Sequence, residues 1–240
     1  MTENERTVII GGSSGMGLAL AATLLAEGGE VTIAGRSADR LAAAARELGG
    51  RAGTLRTHVA DITREDDVAA LFAATGEIDH VVVTAADMTG AYQPIAAFDT
   101  EVAAKVVAAK MIGPALVARY ARLAERGSLT FTSGIAAYRP APGGSLVAMV
   151  NAGLAGLTAA LAVELGPVRV NAVSPGWVDT PIWDAFAGAE KAERHRAMAA
   201  RLPGGRLGTP DDIARAFLAV VRNPFMTGTV LHVDGGHRLV

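Results

Sequence analysis

Short runs of β-branched and aliphatic residues alternate along the whole chain with alanine-rich stretches of helical spacing. The apolar runs predict strands at 7–11 (TVIIG), 30–35 (EVTIAG), 55–60 (LRTHVA), 78–84 (IDHVVVT), 127–133 (GSLTFTS), 168–173 (VRVNAV) and 229–235 (TVLHVDG). Helices are predicted at 15–27, 38–48, 64–74, 99–124, 146–165, 183–200 and 210–222. Runs such as Val81-Val82-Val83 are apolar without alternation, the pattern of parallel strands covered on both faces. Repeated βα units with right-handed crossovers predict one α/β domain over 1–240, a Rossmann-like doubly wound parallel sheet of about seven strands. The longer irregular segments, 85–98, 134–145 and 174–182, each follow the carboxyl end of a strand, where such folds bind ligands.

Composition narrows the function classes. Half of the 240 residues are hydrophobic, enough for a large core. Lys plus Arg is 22 against 24 for Asp plus Glu, a net charge of −2, so there is no electrostatic case for nucleic acid or an anionic membrane. The absence of cysteine excludes disulfides, thiolate catalysis and cysteine metal sites. His58, His80, His195, His232 and His237 have no ligand-like spacing, so no metal is expected. The N-terminus, MTENER, is unlike a signal peptide, and no apolar run reads as long enough to span a bilayer. A soluble cytoplasmic protein is expected, one that turns over a small molecule or binds one.

The stretch VIIGGSSGMGLA places Gly11, Gly15 and Gly17 between the first strand and the first helix, with Ser13, Ser14 and Met16 among them. Glycines let the chain turn tightly and approach a pyrophosphate, and the helix N-terminus supplies N–H groups and partial positive charge. A glycine-rich βα turn could be only a turn; its place at the first strand of a long βα series points to a dinucleotide. The second strand ends in Arg36-Ser37, where an NAD site usually carries an acidic residue. A guanidinium there can grip a 2′-phosphate, which predicts NADP(H); stacking on adenine or facing water is the alternative.

With these residues in view, the chain resembles the short-chain dehydrogenase/reductase family, classical type, over nearly its whole length. GGSSGMG resembles the family's cofactor glycine motif, with Ile10 where threonine is usual. HVADIT puts Asp61, followed by Ile62, where the family holds the adenine amino group. VNAVSPGWVDTP resembles the segment after the sixth strand, which implies that Pro175, Gly176, Val178 and Thr180 lie on the nicotinamide side. GRLGTPDDIA and TGTVLHVDGG resemble the C-terminal part.

The catalytic motifs depart from that pattern. Thr84, Ala85, Ala86 and Asp87 stand where the family has Asn-Asn-Ala-Gly, and Ala85 and Ala86 are expected to line the cofactor. Lys110, three residues before Gly113, replaces the usual asparagine of the long helix. Ser133 matches the family's serine. In SLVAMVNAGL, Val147 falls at the catalytic tyrosine and Asn151 at the catalytic lysine. Lysine and asparagine are thus exchanged between two helices, and neither Val147 nor Asn151 can give a proton near neutral pH. Lys110 lies in an apolar helix, with Val102, Val106 and Gly113 on its face. If that face packs inward, Lys110 is a desolvated acid, a clamp on a developing oxyanion, or a ribose ligand; the other reading is a snorkelling surface lysine. Asp87 either faces Lys110 or is a solvated loop residue. Tyr138 is a loop phenol close in sequence to Ser133. Trp177, Trp183 and Phe186 suggest an apolar substrate cover.

Three functions follow. The first is an atypical NADP(H)-dependent oxidoreductase acting on a small, fairly apolar carbonyl or alcohol, with Lys110 and Ser133, and Asn151 beside them, replacing the usual apparatus. The second is a noncatalytic nucleotide-binding regulator or subunit. The third is a non-redox lyase or isomerase. The resemblance also implies a homo-oligomer, tetramer or dimer, built through the helices at 99–124 and 146–165.

Overall fold

A computed structural model describes residues 5–183 and 188–240. Seven strands form one parallel sheet: β1 (Arg6–Ile10), β2 (Glu30–Gly35), β3 (Thr54–Val59), β4 (Ile78–Val83), β5 (Leu123–Thr132), β6 (Arg169–Pro175) and β7 (Val230–Val233). Their spatial order is β3-β2-β1-β4-β5-β6-β7, so the order reverses between β1 and β4. Crossovers leave that point toward opposite faces, which opens a cleft beyond the carboxyl ends of β1 and β4.

On one face, α1 (Gly15–Ala26), α2 (Ala38–Leu48) and α8 (Pro210–Arg222) bury Leu20, Leu24, Leu41 and Phe217 against Ile9, Ile33 and Val82. On the other, α3 (Glu65–Thr75), α5 (Gly113–Tyr120) and α6 (Ser145–Glu164) bury Phe72, Val117 and Leu154 against Val8, Val83 and Phe131. Strand residues of alternate parity feed the two cores, which is why these strands read as continuous apolar runs. A third cluster joins α4 (Thr100–Val107) and α6 to the loops after β4 and β5; it holds Met88, Ala91, Val106, Ala136, Val147 and Val150.

Three sequence expectations are corrected. The helix predicted at 99–124 is α4, a π-helical turn over Ala108–Ile112, then α5, which ends at Tyr120. Residues 121–126 carry charges at near-helical spacing, but Leu123 already pairs with Ile78, and β5 absorbs an irregularity before Ser128 meets His80. Second, of the start of the helix predicted at 183–200, Trp183 is helical, 184–187 with Phe186 lie outside the described residues, and α7 runs over Lys191–Arg201 after a 3₁₀ turn. Third, α6 is 20 residues long and holds an 18-residue window of mean hydropathy 2.0, long and apolar enough to cross a bilayer. In this fold it covers the sheet instead, with Leu146, Val150, Leu154 and Thr158 buried.

The base of the sheet is held by Arg169, which is 9% exposed at the start of β6. Its guanidinium donates to the carbonyls of Val220 (3.0 Å), Val221 (2.6 Å) and Asn223 (2.9 Å) at the end of α8. These carbonyls have no intrahelical donor, so the arginine serves as their cap. Arg169→Leu is expected to lower unfolding free energy by about 2–4 kcal/mol, read from urea denaturation.

Candidate active site

The chain leaves β1 through Gly11, at φ 95°, and enters α1 at Gly15, at φ 53°. A Cβ on Gly11 would lie 2.6 Å from Thr84 Oγ1 and 2.5 Å from the Ala85 nitrogen. One on Gly17 would lie 2.6 Å from the same hydroxyl and 2.5 Å from the Gly11 carbonyl. These two glycines therefore let the end of β4 close against the turn, where Ala85 N–H donates to the Ile10 carbonyl at 2.9 Å. Ser14 stands at the N-cap of α1 without capping it, and the first turn has no acidic residue, so nothing there offsets an incoming anion. Its hydroxyl accepts from Arg40 at 3.0 Å instead. The Ser13 hydroxyl points toward Gly35, while Met16 packs against the core. Opposite Gly15 stands Thr180: a Cβ on the glycine would sit 3.3 Å from its methyl group. The loop after β6 is thus the far wall of the cleft.

At the end of β2, Arg36 is exposed and donates to Asp87 at 3.0 Å. Asp87 therefore neither faces Lys110 nor stands free in solvent; its partner is the guanidinium expected to receive a 2′-phosphate. Burial pushes the Asp87 carboxyl up, but hydrogen bonds from Thr89 and Arg36 outweigh it and hold the group below its ordinary value. The Ser37 hydroxyl caps α2 by accepting from Arg40 N–H at 3.3 Å. The Asp61 carboxylate accepts the Thr63 N–H and hydroxyl at 2.9 and 2.7 Å. Ile62 belongs to the core; a Cβ on Gly113 would lie 2.7 Å from its side chain, so that glycine lets the Asp61–Ile62 segment press against α5. Ala86 is exposed beside Asp87. A cavity of about 180 Å³ opens here, lined by Arg36, Thr63, Asp87, Lys105, Ala108 and Ala109. The uncapped helix end, the glycine turn and this cavity, with Arg36 and Lys105 on its wall, fit a nicotinamide dinucleotide.

Lys110 lies in the π-helical turn and is 5% exposed. The extra residue of such a turn shifts the helical face, and Lys110 Nζ reaches the Thr132 carbonyl at the end of β5, 2.6 Å away. Among the described residues no carboxylate pairs with it, and burial lowers its pKa from 10.5 to about 8. Thr132 is itself anchored by its hydroxyl, which donates to the Val83 carbonyl at 2.7 Å. The next residue, Ser133, donates its hydroxyl to the main-chain carbonyl of Asn151 at 2.9 Å. The Asn151 amide nitrogen presses on Gly134, and its buried Oδ1 has no hydrogen-bond partner. The sequence-derived trio of Lys110, Ser133 and Asn151 thus converges on the last residues of β5. Val147 does not face open space; it is 4% exposed within the third apolar cluster.

Above this point, Tyr138 meets His232 edge-on, with ring centroids 4.3 Å apart. The rings of Trp177 and Trp183 lie 4.2 Å apart between centroids with their planes tilted by 37°, and Trp183 Nε1 donates to the Val178 carbonyl at 2.8 Å. Val178 is buried and bridges to Gly208. Pro175 ends β6, and Gly176 is pinned on the β7 side, since a Cβ there would lie 2.7 Å from Asp234 Cα. His195 closes on both tryptophans from α7.

Residues 11–238 match the profile described as enoyl-(acyl carrier protein) reductase. A cis-4-hydroxycyclohexanecarboxylate dehydrogenase of Sinomonas cyclohexanicum is 37% identical over 97% of this chain and 96% of its own. The MalC reductase/Diels-Alderase structure from Malbranchea aurantiaca aligns with TM-score 0.92 and 33% identity, covering 99% of this chain and 98% of that one. The chain belongs to the short-chain dehydrogenase/reductase family. A small-chain dehydrogenase in complex with NADPH, 31% identical, aligns with TM-score 0.77 over 99% of this chain and all of its own.

Val147, which the resemblance sets at the family's tyrosine, is packed in the third apolar cluster, and Lys110 comes from the helix between β4 and β5. Arg40, Thr63 and Lys105 join the cleft without having been expected there, and Asp87 joins it at Arg36 rather than at Lys110. The Arg36–Asp87 and Arg40–Ser14 pairs lie 51 and 26 residues apart along the chain, and only the mutual approach of strand ends brings them together. The buried ammonium has a measurable signature. Its native pKa is below that of the unfolded chain, so between about 8 and 10.5 the unfolded state binds more protons and stability rises with pH. Lys110→Met removes the titration. Its stability advantage over the parent is expected to shrink by about 3 kcal/mol across that window, read from urea unfolding at stepped pH.

Proposed function

We infer that this chain is an NADP(H)-dependent oxidoreductase that moves hydride between the nicotinamide and a small, fairly apolar carbonyl or alcohol. The observation that carries this reading is the Lys110 ammonium, buried 2.6 Å from the Thr132 carbonyl and one residue from Ser133. When bound, the dinucleotide supplies the hydride. The chain supplies the rest. The uncapped start of α1 and Gly15 receive the pyrophosphate, and Arg36 with Lys105 supplies positive charge on the adenosine side.

Lys110 takes the acid's role. A group titrating at about 8 holds its proton at neutral pH and can release it to a developing alkoxide. Of its three N–H donors, Thr132 uses one. Ser133 Oγ spends its proton on Asn151, which leaves its lone pairs to orient a substrate hydroxyl. The paired rings of Trp177 and Trp183 offer an apolar wall, which suits an uncharged substrate.

A homo-oligomer is part of the same reading. The outer face of α6 exposes Met149, Ala152, Gly156, Ala159 and Val163, and that of α4 and α5 exposes Ala104, Ile112 and Ala115. Small residues on both faces suit close helix packing between copies.

The test is NADPH oxidation with a panel of apolar ketones. Lys110→Ala is expected to lower kcat by about 10²–10⁴-fold, and reduction by the parent is expected to fall as pH rises through about 8. A Lys110→Ala enzyme with unchanged turnover removes the lysine from the mechanism.

A further inference from the structure

Arg36 and Asp87 sit on opposite banks of the adenosine end of the cleft, one at the end of β2 and the other past the end of β4. Their ion pair, 3.0 Å between Nη1 and Oδ2, forms part of the wall of the 180 Å³ cavity. The Asp87 side is built rather than incidental: its other oxygen accepts the Thr89 N–H at 3.2 Å, which fixes the carboxylate toward the arginine.

We propose that Asp87 is a specificity-determining residue, a built-in competitor for the 2′-phosphate, which occupies the guanidinium that this phosphate needs. The inference rests on the reading of Arg36 as the 2′-phosphate ligand. A phosphate arriving at Arg36 must displace the carboxylate or lie beside it, and either arrangement sets negative charge near negative charge. A bare ribose carries no such conflict. Its 2′-hydroxyl can donate to Asp87 while the ion pair stays whole. Arg36 therefore favours the phosphorylated nucleotide and Asp87 the unphosphorylated one. Lys105, on the same cavity, returns the balance of the rim to positive. The chain discriminates between the two cofactors less sharply than its arginine alone would.

The two side chains are 59% and 37% exposed, so solvent screens the effect to a modest size. The probes are adenosine 2′,5′-bisphosphate and 5′-AMP, titrated calorimetrically into the full-length chain. Asp87→Asn keeps an acceptor for Thr89 and removes the charge; Asp87→Ser does the same with a smaller group. Both are expected to tighten bisphosphate binding about three- to tenfold and to leave 5′-AMP unimproved. A ratio of the two affinities that stays at its parental value in both variants overturns the proposal. Arg36→Gln separates the two layers of argument. If it leaves bisphosphate affinity intact, the reading of Arg36 itself falls, and this inference with it. If it weakens the bisphosphate while the Asp87 variants change nothing, only the competitor role falls.

Discussion

Lys110 carries its ammonium into the protein with one main-chain carbonyl for company. Desolvating a charge is costly, and neighbouring elements are arranged around that cost. The helix between β4 and β5 yields one π-helical turn, which aims the side chain inward. β5 ends so that the Thr132 carbonyl points back at it, and Thr132 is held in turn by the carbonyl of Val83. The depressed pKa results from that burial, and the ammonium ends on the carbonyl that precedes Ser133, whose own hydroxyl reaches the Asn151 carbonyl.

The other half of the cleft is governed by close approach. Thr84 and Ala85 press on Gly11 and Gly17, so the β1 turn and the end of β4 make one wall at the point where the strand order reverses. Gly113 plays the same part for Asp61 and Ile62. Several residues expected to touch a cofactor therefore spend their side chains on the frame. Met16, Ile62 and Val178 are core, Ser37 is a cap, and Asp61 ties its own loop.

The sequence by itself determined the seven-strand βα series, the glycine turn, and the inward face that carries Lys110, because each depends on periodicity or spacing within a short window. Helices 38–48 and 210–222 were legible to the residue, since Ser37 and Thr209 are strong caps at their starts. The long helix was not. Its π-helical turn and early end at Tyr120 arise from packing on β5 and Ile62, and charged residues 121–126 keep a helical rhythm while Leu123 already serves as strand. Only the tertiary structure decided that Asp87 meets Arg36, that Tyr138 meets His232, and that Val147 is packed. Those pairings join strand ends and loops far apart in the chain, and no local pattern encodes which of them will meet.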